Sequence, residues 1–209
     1  MSMHTWFECK IRYEKIMENG MQKKVTEPYL VDALSFTEAE ARIIEEMTPF
    51  ISGEFTVSDI KRANYSELFS SDEESADRWF KCKLIFITLD EKSGAEKKTS
   101  TQVLVQAADL RDAVKKLDEG MKGTMADYQI GSVAETAIMD VYPYEVSTAD
   151  HDCKEANEEM TVGHFIARLG EGQEREITVA GKPMIICRQS NKTIVKPKPK
   201  KAESDHDKR

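Results

Sequence analysis

No apolar run in this chain is long enough to span a bilayer, so a helical membrane protein is excluded. The first ten residues, MSMHTWFECK, lack the charged start and apolar stretch of a secretory leader, and a soluble cytoplasmic protein is expected. Cysteine is sparse. Cys9, Cys82, Cys153 and Cys187 lie far apart and form no C-x-x-C pair, which removes a zinc knuckle or a redox pair and leaves free thiols in a reducing cytosol. An excess of positive charge is also lacking: 30 Lys and Arg stand against 38 Asp and Glu, for a formal net charge of -8. Extensive duplex binding is therefore disfavoured, although a local basic patch remains compatible with the total. No phosphate-binding loop is present. The nearest stretch, Gly120-Met121-Lys122-Gly123-Thr124, lacks the required spacing and reads as a helix end and loop.

What the chain does have is an internal repeat. Trp6-Phe7-Glu8-Cys9-Lys10-Ile11 is echoed by Trp79-Phe80-Lys81-Cys82-Lys83-Leu84. The correspondence continues through Asn19-Gly20 with Ser93-Gly94, Leu30-Val31 with Leu104-Val105, and Ala39 with Ala113. It ends with Phe55-Thr56-Val57 against Tyr128-Gln129-Ile130, and Leu68-Phe69 against Val141-Tyr142. Residues 6–69 thus map onto residues 79–142, with single-residue slips in the turns, where length changes are tolerated.

Each unit reads as strand, hairpin, strand, helix, strand. Phe7, Cys9, Ile11 and Tyr13 alternate with charged residues, the period of a half-buried strand. Asn19-Gly20 is a hairpin signal, and Pro28 in the return strand suggests an edge position. Ser35 or Thr37 can cap a helix whose inward stripe is Phe36, Ala39, Ile43 and Met47. A long last strand runs from Glu54 to about Phe69, bent or bulged near Asp59. In the second unit Asp109 caps a helix with Leu110, Ala113, Val114 and Leu117 inward, and Gly131 marks a bulge in a last strand from Tyr128 to Tyr144. Ser70 to Asp77 is an acidic linker. Further on, a short helix at Val162–Leu169 precedes a hairpin formed by Glu176–Val179 and Pro183–Arg188.

The expected class is therefore α+β. Two tandem β-β-α-β units form a pseudo-two-fold antiparallel sheet with helices packed on it, plus a small C-terminal helix–hairpin module. The first repeat spans residues 1–69, the second 79–146 and the module 160–195; residues 196–209 are expected to be a disordered tail, since they lack apolar side chains.

With its W-F-E-C-K strand, the E-P-Y-L-V-D-A segment and the second R-W-F-K-C-K copy, the chain resembles an uncharacterised domain family of Bacteroides-type bacteria, their phages and mobile elements. The resemblance covers residue 6 to about residue 144. It implies a duplicated domain in a bacterial or phage cytosol and carries no functional residue with it.

Three constellations bear on function. If Phe7, Cys9 and Ile11 point inward, then Trp6, Lys10 and Arg12 point outward, and the twin strand offers Trp79, Lys81 and Lys83. Aromatics among cations on a sheet are how single-stranded nucleic acid is held, by stacking and phosphate pairing. The same tryptophans read otherwise as caps on the core, with solvated lysines beside them. A pocket between the units is a second option, with Tyr13, Tyr65, Phe86 and Tyr128 enclosing a nucleotide-like ligand. The third, Asp150-His151-Asp152-Cys153, has metal-ligand residue types but no second cluster, and reads as a solvated linker. None of His4, His151, His164 and His206 is placed as a base for a cysteine nucleophile. No catalytic residue, metal or cofactor is expected. The leading expectation is a non-enzymatic binding module of phage or mobile-element origin, its partner being single-stranded nucleic acid or a nucleic-acid-processing protein. A sponge-like protein for small ligands or nucleotides and a structural homo-oligomer are the alternatives, the latter because exposed strand edges template pairing.

Overall fold

A computed structural model of the chain describes residues 5–18, 20–89, 96–124, 127–144, 162–190 and 192–199. The first repeat contributes β1 (Thr5–Ile16), β2 (Gln22–Ala33), α1 (Phe36–Met47), β3 (Phe55–Ala63) and β4 (Glu67–Phe69). The second follows the same order with β5 (Arg78–Leu89), β6 (Glu96–Ala107), α2 (Leu110–Gly120), β7 (Tyr128–Glu135) and β8 (Val141–Tyr142). Then come α3 (Val162–Arg168), β9 (Glu174–Val179), β10 (Lys182–Gln189) and β11 (Lys192–Pro197). The class is α+β. The strands form two sheets rather than one, ordered β8-β2-β1-β3-β11-β10-β9 and β4-β6-β5-β7. Both are mixed, because β8 joins β2 and β4 joins β6 in parallel.

Local chemistry accounts for the elements. Gly20 takes φ +75 in the first turn, a conformation that favours glycine, and its N–H donates to the Met17 carbonyl at 2.8 Å. Ser35 caps α1 by accepting from the Glu38 N–H, and Asp109 caps α2 by accepting from the Asp112 N–H. Each cap is doubled. The Glu38 carboxylate accepts from the Leu34 N–H at 2.8 Å, and that of Asp112 from the Ala108 N–H at 3.1 Å. Ala39, Ile43 and Met47 are buried as expected, but Phe36 and its counterpart Leu110 are 48% and 52% exposed. Both occupy the first helical position, where the side chain lies off the inward stripe. In β7 the predicted bulge is present: Leu84 pairs with Ile130 and Lys83 with Ser132, so Gly131 is the extra residue.

The expected long last strands are each broken in two. β3 stops at Ala63 and β7 at Glu135. The short strands that follow cross to the other repeat. β4 lies beside β6, with Leu68 opposite Leu104, and β8 lies beside β2, with Val141 opposite Leu30. Leu68 corresponds to Val141 and Leu30 to Leu104, so the exchange is reciprocal residue for residue. The flanking hydrogen bonds match as well: Ser66 N–H donates to the Gln102 carbonyl, and Met139 N–H to that of Pro28, both at 2.9 Å.

The described chain packs as two compact units whose boundaries do not follow the repeats. One comprises the described residues within Met1–Glu8, Glu27–Ala33 and Lys61–Tyr144, and the other those within Cys9–Thr26, Leu34–Ile60 and Glu145–Arg209. In the first, side chains alternate across β5 and β6 and bury both faces of that sheet. Phe80, Cys82, Leu84, Val103 and Val105 pack with Ala113 and Leu117 of α2. On the other face Trp79 and Leu104 pack with Leu30, Ile138 and Val141. Only one covered face is expected from the sequence; the returning segments before β4 and β8 supply the second cover. The acidic linker is held down too. The Lys116 ammonium reaches Ser71 Oγ at 2.8 Å, the Glu73 carboxylate at 2.9 Å and the Asp112 carboxylate at 3.0 Å.

In the second unit α3 packs on α1, and the C-terminal strands β9 to β11 form a meander joined to β3 through β11. The Lys182 ammonium donates to the Thr48 and Pro49 carbonyls at the end of α1, at 3.2 and 3.3 Å. The C-terminal module therefore belongs to this core. Its third strand is absent from the sequence expectation, and the supposed tail begins inside it. Lys196 and Pro197 complete β11, and the Lys198 N–H donates to the Pro183 carbonyl at 3.0 Å; residues 200–209 lie outside the described residues. Two threonines are fully buried here. Thr48 Oγ1 donates to the Ile44 carbonyl at 2.6 Å, whereas Thr193 Oγ1 has no partner among the described residues. Thr193→Val keeps the shape and removes the unpaired hydroxyl. It is expected to stabilise the chain by about 1 kcal/mol, or about 2–4 °C in melting temperature. A melt unchanged or lowered by calorimetry would show that the hydroxyl is bonded in solution.

Candidate functional site

Of the six residues singled out as an aromatic–basic face, Trp79 is closed to stacking. Trp79 is only 4% exposed and sits in the core with Leu30 and Leu104, and Trp6 is half-buried against the same cluster. A base cannot stack on Trp79 without opening that core. Lys10 is half-buried and pairs with Asp59 at 3.6 Å, and Arg12 Nε donates to Thr26 Oγ1 at 3.4 Å. Lys81 and Lys83 are exposed, as alternation along β5 requires. Phe86 and Tyr128 face one another with ring centroids 6.3 Å apart, Tyr65 packs against the cluster around Trp79, and Tyr13 lines a different cleft. The Asp150–Cys153 stretch lies outside the described residues, and among the described residues no three potential metal ligands converge.

The cysteines have the environment of packing residues. Cys9, Cys82 and Cys187 are buried and in no disulfide. Burial pushes the Cys82 thiol up to about 11 and raises that of Cys187 as well, so both stay protonated and poorly nucleophilic at neutral pH.

A cleft among the described residues lies in the second unit. It is an open groove of about 860 Å³ between the distal half of the β1–β2 hairpin and the segment joining α1 to β3. Its position follows from local sequence. Past Ile11, β1 turns from core to surface: Arg12 and Glu14 are exposed and Tyr13 is half-buried. After α1, Ile51 turns inward, and Phe50 is left 72% exposed on the groove wall. Arg12, Lys15 and Lys24 line the groove, with Glu14 and Glu54 as the opposing charges. Lys24 lies 3.8 Å from Glu14 with both side chains more than half exposed, a pair that competing anions separate at little cost. Glu54 is engaged by Lys196 of β11 at 3.6 Å. Ile16 and Met21, at the hairpin end, are exposed apolar neighbours in sequence.

An exposed aromatic ring bordered by three cations can hold a ligand that is flat and anionic. Of the groove residues, Arg12 and Tyr13 are among the sequence candidates, each from a different constellation. Phe50 carries one legible signal: it follows the helix-ending Thr48-Pro49 and belongs to no apolar periodicity, so it is a loop aromatic without a core role.

Comparison with known proteins gives one match. The family described as Domain of unknown function (DUF4494) matches residues 5–144, from the start of β1 to just past β8. The groove lies within that span and the C-terminal module beyond it. No curated protein and no solved structure matches the chain.

Proposed function

The chain belongs to the DUF4494 family, and from that footing we propose a non-catalytic binding role in which the groove beside the β1–β2 hairpin seats single-stranded nucleic acid. The observation that supports this reading is Phe50, an exposed aromatic in an open groove bordered by Arg12, Lys15 and Lys24. An unpaired base offers its face to the ring, and successive phosphates meet the cations. A duplex hides its base faces and demands more positive charge than an acidic chain of net charge -8 supplies. The setting implied by the resemblance of the W-F-x-C-K strands is a phage or mobile element of Bacteroides-type bacteria, acting in the cytoplasm.

Fluorescence anisotropy of labelled oligo-dT and oligo-U, at low and physiological salt, tests the reading. Phe50→Ala is expected to cost about 1–3 kcal/mol of binding, the value of one stacked base. Removing Arg12 and Lys24 together should flatten the salt dependence by about 0.7 per lost phosphate contact. Lys81→Ala with Lys83→Ala is the control and should leave binding intact. Loss of binding in that control instead would return the site to β5, and equal binding by the Phe50 and Arg12/Lys24 variants would end the groove proposal. Thermal stabilisation by mononucleotides without oligonucleotide binding would favour the sponge-like alternative.

A further inference from the structure

The two repeats treat their equivalent sheet edges differently. β3 and β7 correspond, Phe55-Thr56-Val57 matching Tyr128-Gln129-Ile130. β3 carries an antiparallel neighbour on its outer side: Phe55 lies opposite Val195, Thr56 opposite Ile194 and Val57 opposite Thr193 of β11. β7 ends its sheet, with β5 on one side and no described strand on the other. We infer that the outer edge of β7 at Tyr128–Ile130 is a strand-addition site for an extended segment of a partner protein, one that carries a β-branched run followed by lysine.

Hydrogen-bond parity leaves that edge open. The Ile87 N–H donates to the Asp127 carbonyl at 3.1 Å, so residues 127 and 129 turn their backbone groups toward β5. Tyr128 and Ile130 therefore turn theirs outward. Two usual guards of a free edge, lysine and proline, are missing from this stretch. Tyr128–Glu135 contains no lysine and no proline, and Ile130 is 37% exposed. The bulge at Gly131 ends regular pairing, which limits the site to the residues before it.

The partner's chemistry follows from the occupied edge. Glu54, just before β3, pairs with Lys196, just after the Ile194-Val195 pair of β11. Asp127 holds the position of Glu54 in the second repeat. A strand reading β-branched, β-branched, lysine would satisfy Asp127 in the same way. A second copy of β7 would not, because β7 contains no cation. Strand addition of this kind takes its affinity from main-chain hydrogen bonds and its specificity from alternate side chains.

A fluorescein-labelled peptide of residues 192–198, KTIVKPK, which contains β11, titrated into the full chain tests the site. Saturable binding is expected. Ile130→Pro removes an outward N–H and leaves the bonds to β5 in place, and it should weaken binding by about tenfold, the cost of one lost main-chain hydrogen bond and its neighbours. Asp127→Lys should weaken it by about threefold or more, most at low salt. That variant decides the matter if Ile130→Pro lowers the melting temperature. Hydrogen exchange in the free chain completes the test: the Tyr128 and Ile130 amides should exchange freely and become protected by peptide. Absent binding, or equal binding by both variants, overturns the inference. So does protection in the free chain, which would mean that the chain covers its own edge, or protection that rises with protein concentration, which would make the occupant a second copy.

Discussion

Trp79→Ala is expected to destabilise the chain by about 3–5 kcal/mol, the cost of emptying a large aromatic from a close-packed site. Trp79 is 4% exposed, and its neighbours Leu30, Leu104, Ile138 and Val141 come from both repeats. The site cannot collapse by moving one side chain, because Leu30 and Leu104 stand on strands with a hydrogen-bonded neighbour on each side. Trp6, half-buried at the rim of the same cluster, should cost less when truncated. Urea unfolding followed by circular dichroism measures both. A Trp79→Ala midpoint close to wild type would show that the ring is not in the core, and the stacking face on β5 would be restored. Fluorescence gives an independent reading: Trp79 should emit at short wavelength, resist acrylamide, and remain unquenched when nucleic acid binds.

Val195→Asp should be nearly as damaging, on the order of 4 kcal/mol, because an unpaired carboxylate would stand in an apolar site. Val195 is fully buried on β11 opposite Phe55. The adjacent Ile194 alternates to the half-exposed side, so Ile194→Asp should be mild by comparison. The acid variant carries a pH signature. Burial raises a carboxyl above its unfolded value, so folded stability is greatest below the unfolded carboxyl pKa and is lost as pH rises through the folded one. Partial recovery of the melting temperature on acidification is therefore expected for Val195→Asp and not for Ile194→Asp. Similar melts for the two variants across pH would mean that β11 is not docked on β3 in solution.

Much of the fold was legible because it is written in alternation. The run Phe7, Cys9, Ile11 and its twin Phe80, Cys82, Leu84 gave the strand phase, and Ser35 and Asp109 gave the helix starts. The same alternation put Trp6 and Trp79 on the outer face of their strands, which is correct. What it could not give is that this face is covered there. The cover comes from segments anchored by β4 and β8, strands of three and two residues, too short to carry any period. β11 was missed for a related reason. Its inward residues are Thr193 and Val195 alone, set among lysines, and N-K-T-I-V-K-P reads as the start of a polar tail. The candidate site was less legible still. Phe50 and Lys24 are far apart along the chain, and only the hairpin and the α1–β3 connection bring them to one groove.

The exchange of β4 and β8 has a consequence for how the chain is made. Synthesis proceeds from the amino end, so the first repeat leaves the ribosome with the Leu30 edge of β2 unfilled. Its partner, Val141, is translated only after nearly all of the second repeat. β4 emerges earlier but has no place to dock until Leu104 of β6 arrives. Until then the first repeat lacks the strand neighbours of two edges, β8 beside β2 and β11 beside β3, and has one strand unseated, so its native pairing closes only in a late step.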